Sequence, residues 1–282
     1  MPTPGTAAID VVDVVDDSGD HVVLARPARR IVSLSPHLTE QLYAIGAGER
    51  IVGSTDFADY PAAARLLPRV ARAHSVDLER VAAARPDLIV TWGSGYPATT
   101  LAALRRLGVP VYVDEPASLD GIAVGMQRLA QLAGGDARQA GAALRARLAA
   151  LRARYSGRAP VRVFYQIWSQ PLMTIGGHHV LTEAISLCGG RNVFAELDAL
   201  APQVSAEAVV AADPDLLLTA AAGGTDDGAL DPWLRFPGLR AVRNGQRATL
   251  DADRINRWTP RMAEEIGVLC ERIDAARRAD RR

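Results

Sequence analysis

Few residues of this chain match a known catalytic pattern. The sequence has no GxGxxG or P-loop motif for phosphates, no GxSxG and no HExxH. It contains no lysine, so all 32 basic residues are arginine, and a Schiff base or a phosphate-binding lysine is excluded. The pair Asp226-Asp227 in GGTDDG could bind a hard cation, but is more typical of a solvated loop. The lack of an acid–base constellation argues against an enzyme.

A set of aromatic, histidine and arginine side chains falls where loops should follow strands. Aromatic residues make up only 5% of the chain, yet three of its four tryptophans lie in these loops. Any one of them could simply cover a strand end, but together they predict walls for a large flat ligand with few polar anchors. The candidate ligand-binding residues are His37, Phe57, Tyr60, His74, Trp92, Tyr96, Trp168, Arg257 and Trp258.

The elements that must position these side chains alternate between strand and helix. Such alternation predicts an α/β fold with parallel sheets covered on both faces. The predicted strands are residues 21–25, 30–34, 87–91, 110–113, 161–165 and 215–219, and a further extended segment is predicted at 50–53. The predicted helices are residues 37–45, 77–84, 99–107, 119–132, 136–155, 180–187, 205–211 and 259–276.

An internal repeat indicates two similar lobes. When Glu79 is aligned with Glu207, 128 residues later, a Pro-Asp-Leu sequence follows each glutamate at the same distance. We therefore expect two α/β lobes with mostly parallel central sheets, joined by a single long helix, and a ligand cleft between them. The predicted organisation is an N-terminal extension with a short strand (1–28), an N-terminal lobe (29–134), a connecting helix (135–157) and a C-terminal lobe (158–282).

Composition excludes several classes of protein. The 282 residues carry 32 basic and 32 acidic side chains, and this zero net charge argues against a nucleic-acid partner. No run of residues approaches the apolar length of a membrane span. The first 20 residues lack the basic start and apolar core of a secretory signal, so either the protein is cytosolic or its signal lies outside this chain. Cys188 and Cys270 are the only cysteines, and from the residues alone a disulfide and two buried thiols are equally compatible.

Several segments resemble one family. They are RIVSLSPHLTEQLYAIGAGERIVG, FADYP, DLERVAAARPDLIVTW, LCGGRNVF and PQVSAEAVVAADPDLLLT, in this order and spacing. The sequence resembles the helical-backbone (class III) substrate-binding proteins of ABC transporters, and among them the cobalamin-binding receptors, over about residues 29–276. This resemblance implies a monomeric periplasmic receptor without a cofactor, which binds cobalamin or a related corrinoid and delivers it to a permease dimer with its ATPase. Haem or a ferric siderophore is the alternative ligand, and a cytosolic enzyme on a two-lobed scaffold is the alternative of another class.

The resemblance also assigns roles to individual residues. Glu79 and Glu207 match the glutamates that dock into arginines of the permease, and Cys188 and Cys270 match a family disulfide. Trp92 matches a pocket tryptophan and Arg257 a pocket arginine.

The match at the pocket is incomplete. Phe57 replaces a tyrosine of the cobalamin receptors, and Ala73 and Ala201 replace tryptophans. His37 or His74 could coordinate the metal of a bound ligand, since a neutral imidazole is a good ligand for iron or cobalt. The protein itself is expected to have no resident metal.

Overall fold

The structure, a computed structural model, describes residues 11–72 and 75–279. The described residues form two compact units. Those of Met1–Pro116 and Ile122–Ala142 form the first unit, and those of Ala117–Gly121 and Ala143–Arg282 form the second.

The first unit contains a six-stranded sheet, a separate hairpin and covering helices. Its strands are β1 (Val12–Val15), β2 (His21–Leu24), β3 (Ile31–Ser33), β4 (Ile51–Thr55), β5 (Arg69–Arg72), β6 (Ser75–Val76), β7 (Leu88–Trp92) and β8 (Val111–Asp114). Its helices are α1 (Pro36–Ala44), α2 (Leu78–Ala83), α3 (Ala98–Arg105) and most of α4 (Leu119–Ala133), with short 3-10 helices at Gly48–Arg50 and Ala62–Leu66.

The sheet of the first unit has the order β6-β5-β4-β3-β7-β8, and only the short β6 runs antiparallel to its neighbour. Its central strands are buried on both faces. Ile31 and Leu88 belong to one hydrophobic core, while the next residues, Val32 and Ile89, belong to the other. This alternation is what a parallel sheet covered on both faces requires, and it confirms the predicted fold class.

The amino-terminal part differs from the expectation of one short strand. β2 is the predicted strand, and it pairs with β1 in an antiparallel hairpin. One face of this hairpin packs into the hydrophobic core that contains Ile31 and Leu88, through Val14, Val22 and Leu24. The acidic turn between the strands is closed by Asp16, whose carboxylate accepts the amides of Ser18 and Asp20.

The second unit has its own sheet. Its strands are β9 (Val161–Ser169), β10 (Leu172–Thr174), β11 (Gly190–Asn192), β12 (Leu216–Ala221) and β13 (Arg247–Asp251). Its helices are α5 (Arg138–Tyr155), which begins in the first unit, then α6 (Val180–Leu187), α7 (Ala206–Ala212), α8 (Arg240–Arg243), α9 (Ala252–Ile255) and α10 (Met262–Ala279), with 3-10 helices at Ala222–Gly224 and Asp231–Arg235.

The strand order of the second sheet is β10-β9-β12-β13, and β11 also pairs with β9. All these pairings are parallel except that of β10. Phe164 and Leu217 lie in a core that Trp233 completes. β13 was not predicted, because its sequence RATLD has no apolar run and the strand depends on pairing with β12.

A helix–loop–strand substructure occurs once in each unit. Asp77 caps α2 through the Arg80 amide at 3.0 Å, and Ser205 caps α7 through the Ala208 amide at 3.2 Å. Each helix is followed by a residue with positive φ that precedes a proline: φ is 46° at Arg85 and 38° at Asp213.

The aspartates after these prolines bind corresponding arginines in the two units. Asp87 accepts the backbone amide of Arg30 at 2.8 Å, and Asp215 accepts that of Arg162 at 2.8 Å. Arg30 in turn donates to the Ala84 and Arg85 carbonyls, and Arg162 donates to the Ala212 carbonyl. The repeat found in the sequence is therefore a repeat of structure.

A disulfide lies within the second unit. Cys188, at the carboxyl end of α6, is bonded to Cys270 of α10, 82 residues further along the chain. Both cysteines are fully buried. This confirms the pairing that the family resemblance implied.

Candidate functional site

The carboxyl ends of the parallel strands bring several candidate residues to one edge of the first sheet. His37 follows β3, Phe57 follows β4, Trp92 ends β7 and Glu115 follows β8. In open α/β sheets ligands bind outside this edge, in the crevice between the loops that follow neighbouring strands.

His37 lies inside this edge rather than on it. Only 4% of the residue is exposed. Its Nδ1 lies 2.6 Å from the Ser35 hydroxyl, and its Nε2 lies 3.2 Å from the fully buried carboxylate of Asp114. Serine, histidine and aspartate are the residue types of a hydrolase triad, but Ser35 is itself buried. Both ring nitrogens of His37 therefore face protein atoms.

Trp92 is held from two sides. Its indole N–H donates to Glu115 Oε1 at 3.2 Å, and the His37 ring meets the indole edge-on, with 5.9 Å between the ring centroids. The other oxygen of Glu115 accepts the Ser94 amide at 2.6 Å. The sequence does not single out Glu115, whose only signal there is its position directly after the strand VYVD.

The other aromatic side chains of this edge differ in exposure. Phe57 has φ of 63°, in the region that a non-glycine residue rarely adopts, and is 67% exposed. Tyr60 is also exposed. Tyr96 is half-buried, and its hydroxyl donates to the Leu34 carbonyl at 3.0 Å. Burial raises the pKa of Tyr96, so the hydroxyl stays protonated and keeps this bond. His74 lies outside the described residues.

In the second unit the exposed candidate is Trp168. It lies near the carboxyl end of β9, is 61% exposed and donates its indole N–H to the Gln170 carbonyl at 2.9 Å. A cavity of about 360 Å³, which we call the Trp168 groove, opens at the ends of the adjacent parallel strands β9 and β12. Its lining includes Trp168, Ser169, Gln170, Thr219, Ala220 and Asp227.

Two further candidates in the second unit are largely buried. Trp258 is 6% exposed, and Arg257 is 8% exposed. The Arg257 guanidinium lies 2.7 Å from the carboxylate of Asp253, which belongs to α9 four residues earlier, so the two charges form a local ion pair. Only small parts of these two side chains could reach a ligand in this arrangement.

The two glutamates singled out by the repeat lie at equivalent places. Glu79 and Glu207 are exposed, and each follows its helix cap by two residues. Hydrogen bonds from its own backbone amide and from the Ser205 hydroxyl lower the pKa of Glu207. Each unit thus presents one carboxylate at the first turn of corresponding helices.

Two kinds of feature are absent from the described residues. No cluster of three or more histidine, cysteine, aspartate or glutamate side chains there is arranged to hold a metal ion. No helix in the described ranges is both long and apolar enough to cross a membrane.

Comparison with known proteins relates this architecture to binding proteins. The chain is 37% identical over 254 residues to a vitamin B12-binding protein of Vibrio parahaemolyticus, an alignment that covers 89% of this chain and 92% of that protein. The crystal structure of the periplasmic vitamin B12 binding protein BtuF of Vibrio cholerae matches with a TM-score of 0.79 and 35% identity, over 89% of this chain and 98% of that one. The periplasmic heme-binding protein RhuT of Roseiflexus sp. RS-1 matches with a TM-score of 0.75 and 28% identity, over 88% and 99%.

The sequence profile of one family covers most of the chain. It matches residues 31–254 and describes the periplasmic binding proteins, which are binding proteins rather than enzymes. The predicted absence of catalytic function agrees with this match. The chain belongs to the periplasmic binding protein family.

Proposed function

We propose that this chain binds vitamin B12 or a related corrinoid and delivers it to the permease of an ABC importer. The observation that carries the proposal is the identity of more than a third, over nearly nine-tenths of the chain, with a vitamin B12-binding protein. The geometry supports it, because exposed aromatic rings lie at the strand ends of both units: Phe57 and Tyr60 in the first, Trp168 in the second. A corrin ring is a large flat ligand that such rings can contact.

Six of the nine candidate residues divide into two groups on this proposal. Phe57, Tyr60, Trp92 and Trp168 contact the ligand, since each is at least partly exposed. His37 and Tyr96 position the loops instead, because their polar atoms are hydrogen-bonded within the first unit.

Glu79 and Glu207 form the docking contacts on this proposal. They are exposed, acidic and equivalent in the two units, which suits a permease surface with one arginine site for each. The partner is therefore expected to be an ABC permease, and its dimeric form and ATPase follow from the family resemblance.

The periplasm is the proposed site of action. The family and the solved relatives are periplasmic by name. The disulfide between Cys188 and Cys270 supports this location, because disulfides persist in oxidising compartments.

Haem is the second candidate ligand. It is favoured by the match to a periplasmic heme-binding protein at 28% identity over almost the same length. The same aromatic surfaces could contact a porphyrin.

Titration of the purified protein with cyanocobalamin, haemin and a ferric hydroxamate tests the proposal. We expect saturable binding of cyanocobalamin, weakened about tenfold by Trp168→Ala as an aromatic contact is lost. Leu234→Ala, another exposed apolar residue of the second unit, is the control and should bind as the wild type does. Tight binding of haemin without binding of cyanocobalamin would favour the alternative.

A further inference from the structure

Two adjacent aspartates have the same backbone role but line different grooves of the second unit. Asp226 accepts the amide of Gly228 at 3.0 Å, and Asp227 accepts that of Ala229 at 3.0 Å. Both are exposed. Asp227 lines the Trp168 groove, whereas Asp226 lines a separate cavity of about 340 Å³ together with Arg247 and Arg272.

The charge of the Trp168 groove is set by one residue. All of its described lining residues are uncharged apart from Asp227. The groove therefore combines an exposed indole, the Thr219 and Gln170 polar groups and a single carboxylate. A flat ligand that contacts Trp168 would place its edge substituents near this carboxylate.

The substituents of the two candidate ligand classes differ in charge. The corrin ring of vitamin B12 carries acetamide and propionamide groups, whose NH₂ can donate to a carboxylate. Haem carries two propionates, which are acceptors only and repel another carboxylate at neutral pH. Charge at the groove can thus separate the classes where flat shape does not.

We propose that Asp227 is a specificity-determining residue, which favours tetrapyrroles with amide substituents over those with carboxylate substituents. The inference rests on the proposed function and adds to it the chemical class of ligand edge that the second unit accepts. Selection of this kind acts mainly through repulsion of the wrong ligand.

One nearby cation could act in the opposite direction. Arg235 lines an adjoining cavity of about 220 Å³ that shares Gln166, Ser169 and Gln170 with the Trp168 groove. Its guanidinium is held 4.9 Å from the centroid of the Phe236 ring, and it does not line the Trp168 groove itself. A carboxylate held by Arg235 would lie in that adjoining cavity, which Asp227 does not line.

The experiment compares cyanocobalamin with its three monocarboxylic acids, in each of which one propionamide is hydrolysed. Their dissociation constants are measured for the wild type, Asp227→Asn and Asp226→Asn at neutral pH. Asparagine keeps an oxygen that can accept the turn hydrogen bond, so both variants should retain the loop. Asp226→Asn is the matched control, because it removes the same charge from the neighbouring position.

The wild type should bind at least one of the acids about fivefold more weakly than cyanocobalamin, the effect of a like charge at ~4 Å in water-like surroundings. In Asp227→Asn, the ratio of the dissociation constant of that acid to that of cyanocobalamin should fall to within about twofold. Asp226→Asn should leave this ratio unchanged. High salt should reduce the ratio in the wild type, because it screens the repulsion.

Three results overturn the inference. In the first, the wild type binds cyanocobalamin and all three acids equally well. In the second, Asp227→Asn leaves the ratio of their dissociation constants unchanged. In the third, Asp227→Asn and Asp226→Asn change this ratio equally. In each of these cases the corrinoid is bound, so the proposed function survives. A wild type that binds no corrinoid refutes the proposed function, and this inference with it.

Discussion

The imidazole of His37 and the carboxylate of Asp114 lie 3.2 Å apart in the interior of the first unit, although 77 residues separate them in the chain. They join the start of α1 to the end of β8, and the His37 ring meets the indole of Trp92 edge-on. The pair therefore links the position of a candidate ligand-binding side chain to the packing of the core.

Replacing Asp114 by asparagine should destabilise the first unit. The change disturbs a buried histidine contact, which typically costs about 1–3 kcal/mol of unfolding free energy. Denaturant unfolding measures it. The control is Asp13→Asn, which removes the charge from the exposed contact between Asp13 and His21 at 2.9 Å and should cost less than ~0.5 kcal/mol. Equal effects of the two variants would contradict the structural role of Asp114.

Replacing Glu115 by alanine should release the Trp92 indole. The variant loses the acceptor for the indole N–H and for the Ser94 amide. We expect a changed near-UV circular dichroism signal without ligand, and about tenfold weaker cyanocobalamin binding from the loss of an ordered contact. Glu115→Gln keeps an acceptor oxygen and should recover part of both. Unchanged spectra and affinity in the alanine variant would show that Trp92 is held by other contacts.

The docking role of Glu79 and Glu207 is tested by replacing both with alanine. Ligand affinity should stay the same and binding to the permease complex should weaken, because the two carboxylates are exposed and their proposed contacts lie on the partner. Stability should change little, because each exposed glutamate loses only a helix-dipole contact in a first turn. The control is the double replacement of Glu49 and Glu196, which removes the same charge from other exposed positions. Complex formation that is unaltered by the Glu79 and Glu207 changes would refute docking through them.

Removing the disulfide should lower the stability of the protein, although it replaces none of the residues proposed to contact the ligand. The bond between Cys188 and Cys270 spans 82 residues, which corresponds to about 4.5 kcal/mol in the chain-entropy description. Replacement of both cysteines by alanine should lower the free energy of unfolding by an amount of this order. Thiol titration of the denatured, unreduced wild type should find no free thiol, and detection of two would disprove the bond.

Acid should weaken the start of α6 through His179. Its Nδ1 accepts the Leu181 amide at 3.1 Å, and burial lowers the pKa of His179 to about 4. Because the pKa in the folded protein lies below its value of about 6.5 in the unfolded chain, the stabilising neutral form is retained above pH ~6.5. Stability should then fall between pH ~6.5 and ~4, by up to about 3 kcal/mol. His179→Asn supplies a cap that does not titrate. An equally steep loss of stability with acid in this variant would exclude His179 as the cause.

Local signals in the sequence determined much of the architecture. The predicted helices that begin at residues 77 and 205 are present, and Asp77 and Ser205 cap them, because a cap needs only a side chain and an amide three residues away. The apolar runs at β7 and β12 predicted buried parallel strands, and the repeated Glu-Pro-Asp spacing predicted two similar lobes. The disulfide came from the family resemblance, since the residues alone left it open.

Tertiary structure decided the rest, because the remaining features depend on residues far apart in the chain. The sequence predicted His37 and Trp258 as ligand-binding residues of loops, but it could not show the polar partners of His37 or the burial of Trp258. The support of Trp92 by Glu115 joins residues 23 apart through adjacent strands. Whether Asp226 or Asp227 enters the Trp168 groove is set by the turn that follows β12, where consecutive side chains point to different grooves. Sequence determined which residue types stand at the strand ends, and packing determined which of them remain exposed to a ligand.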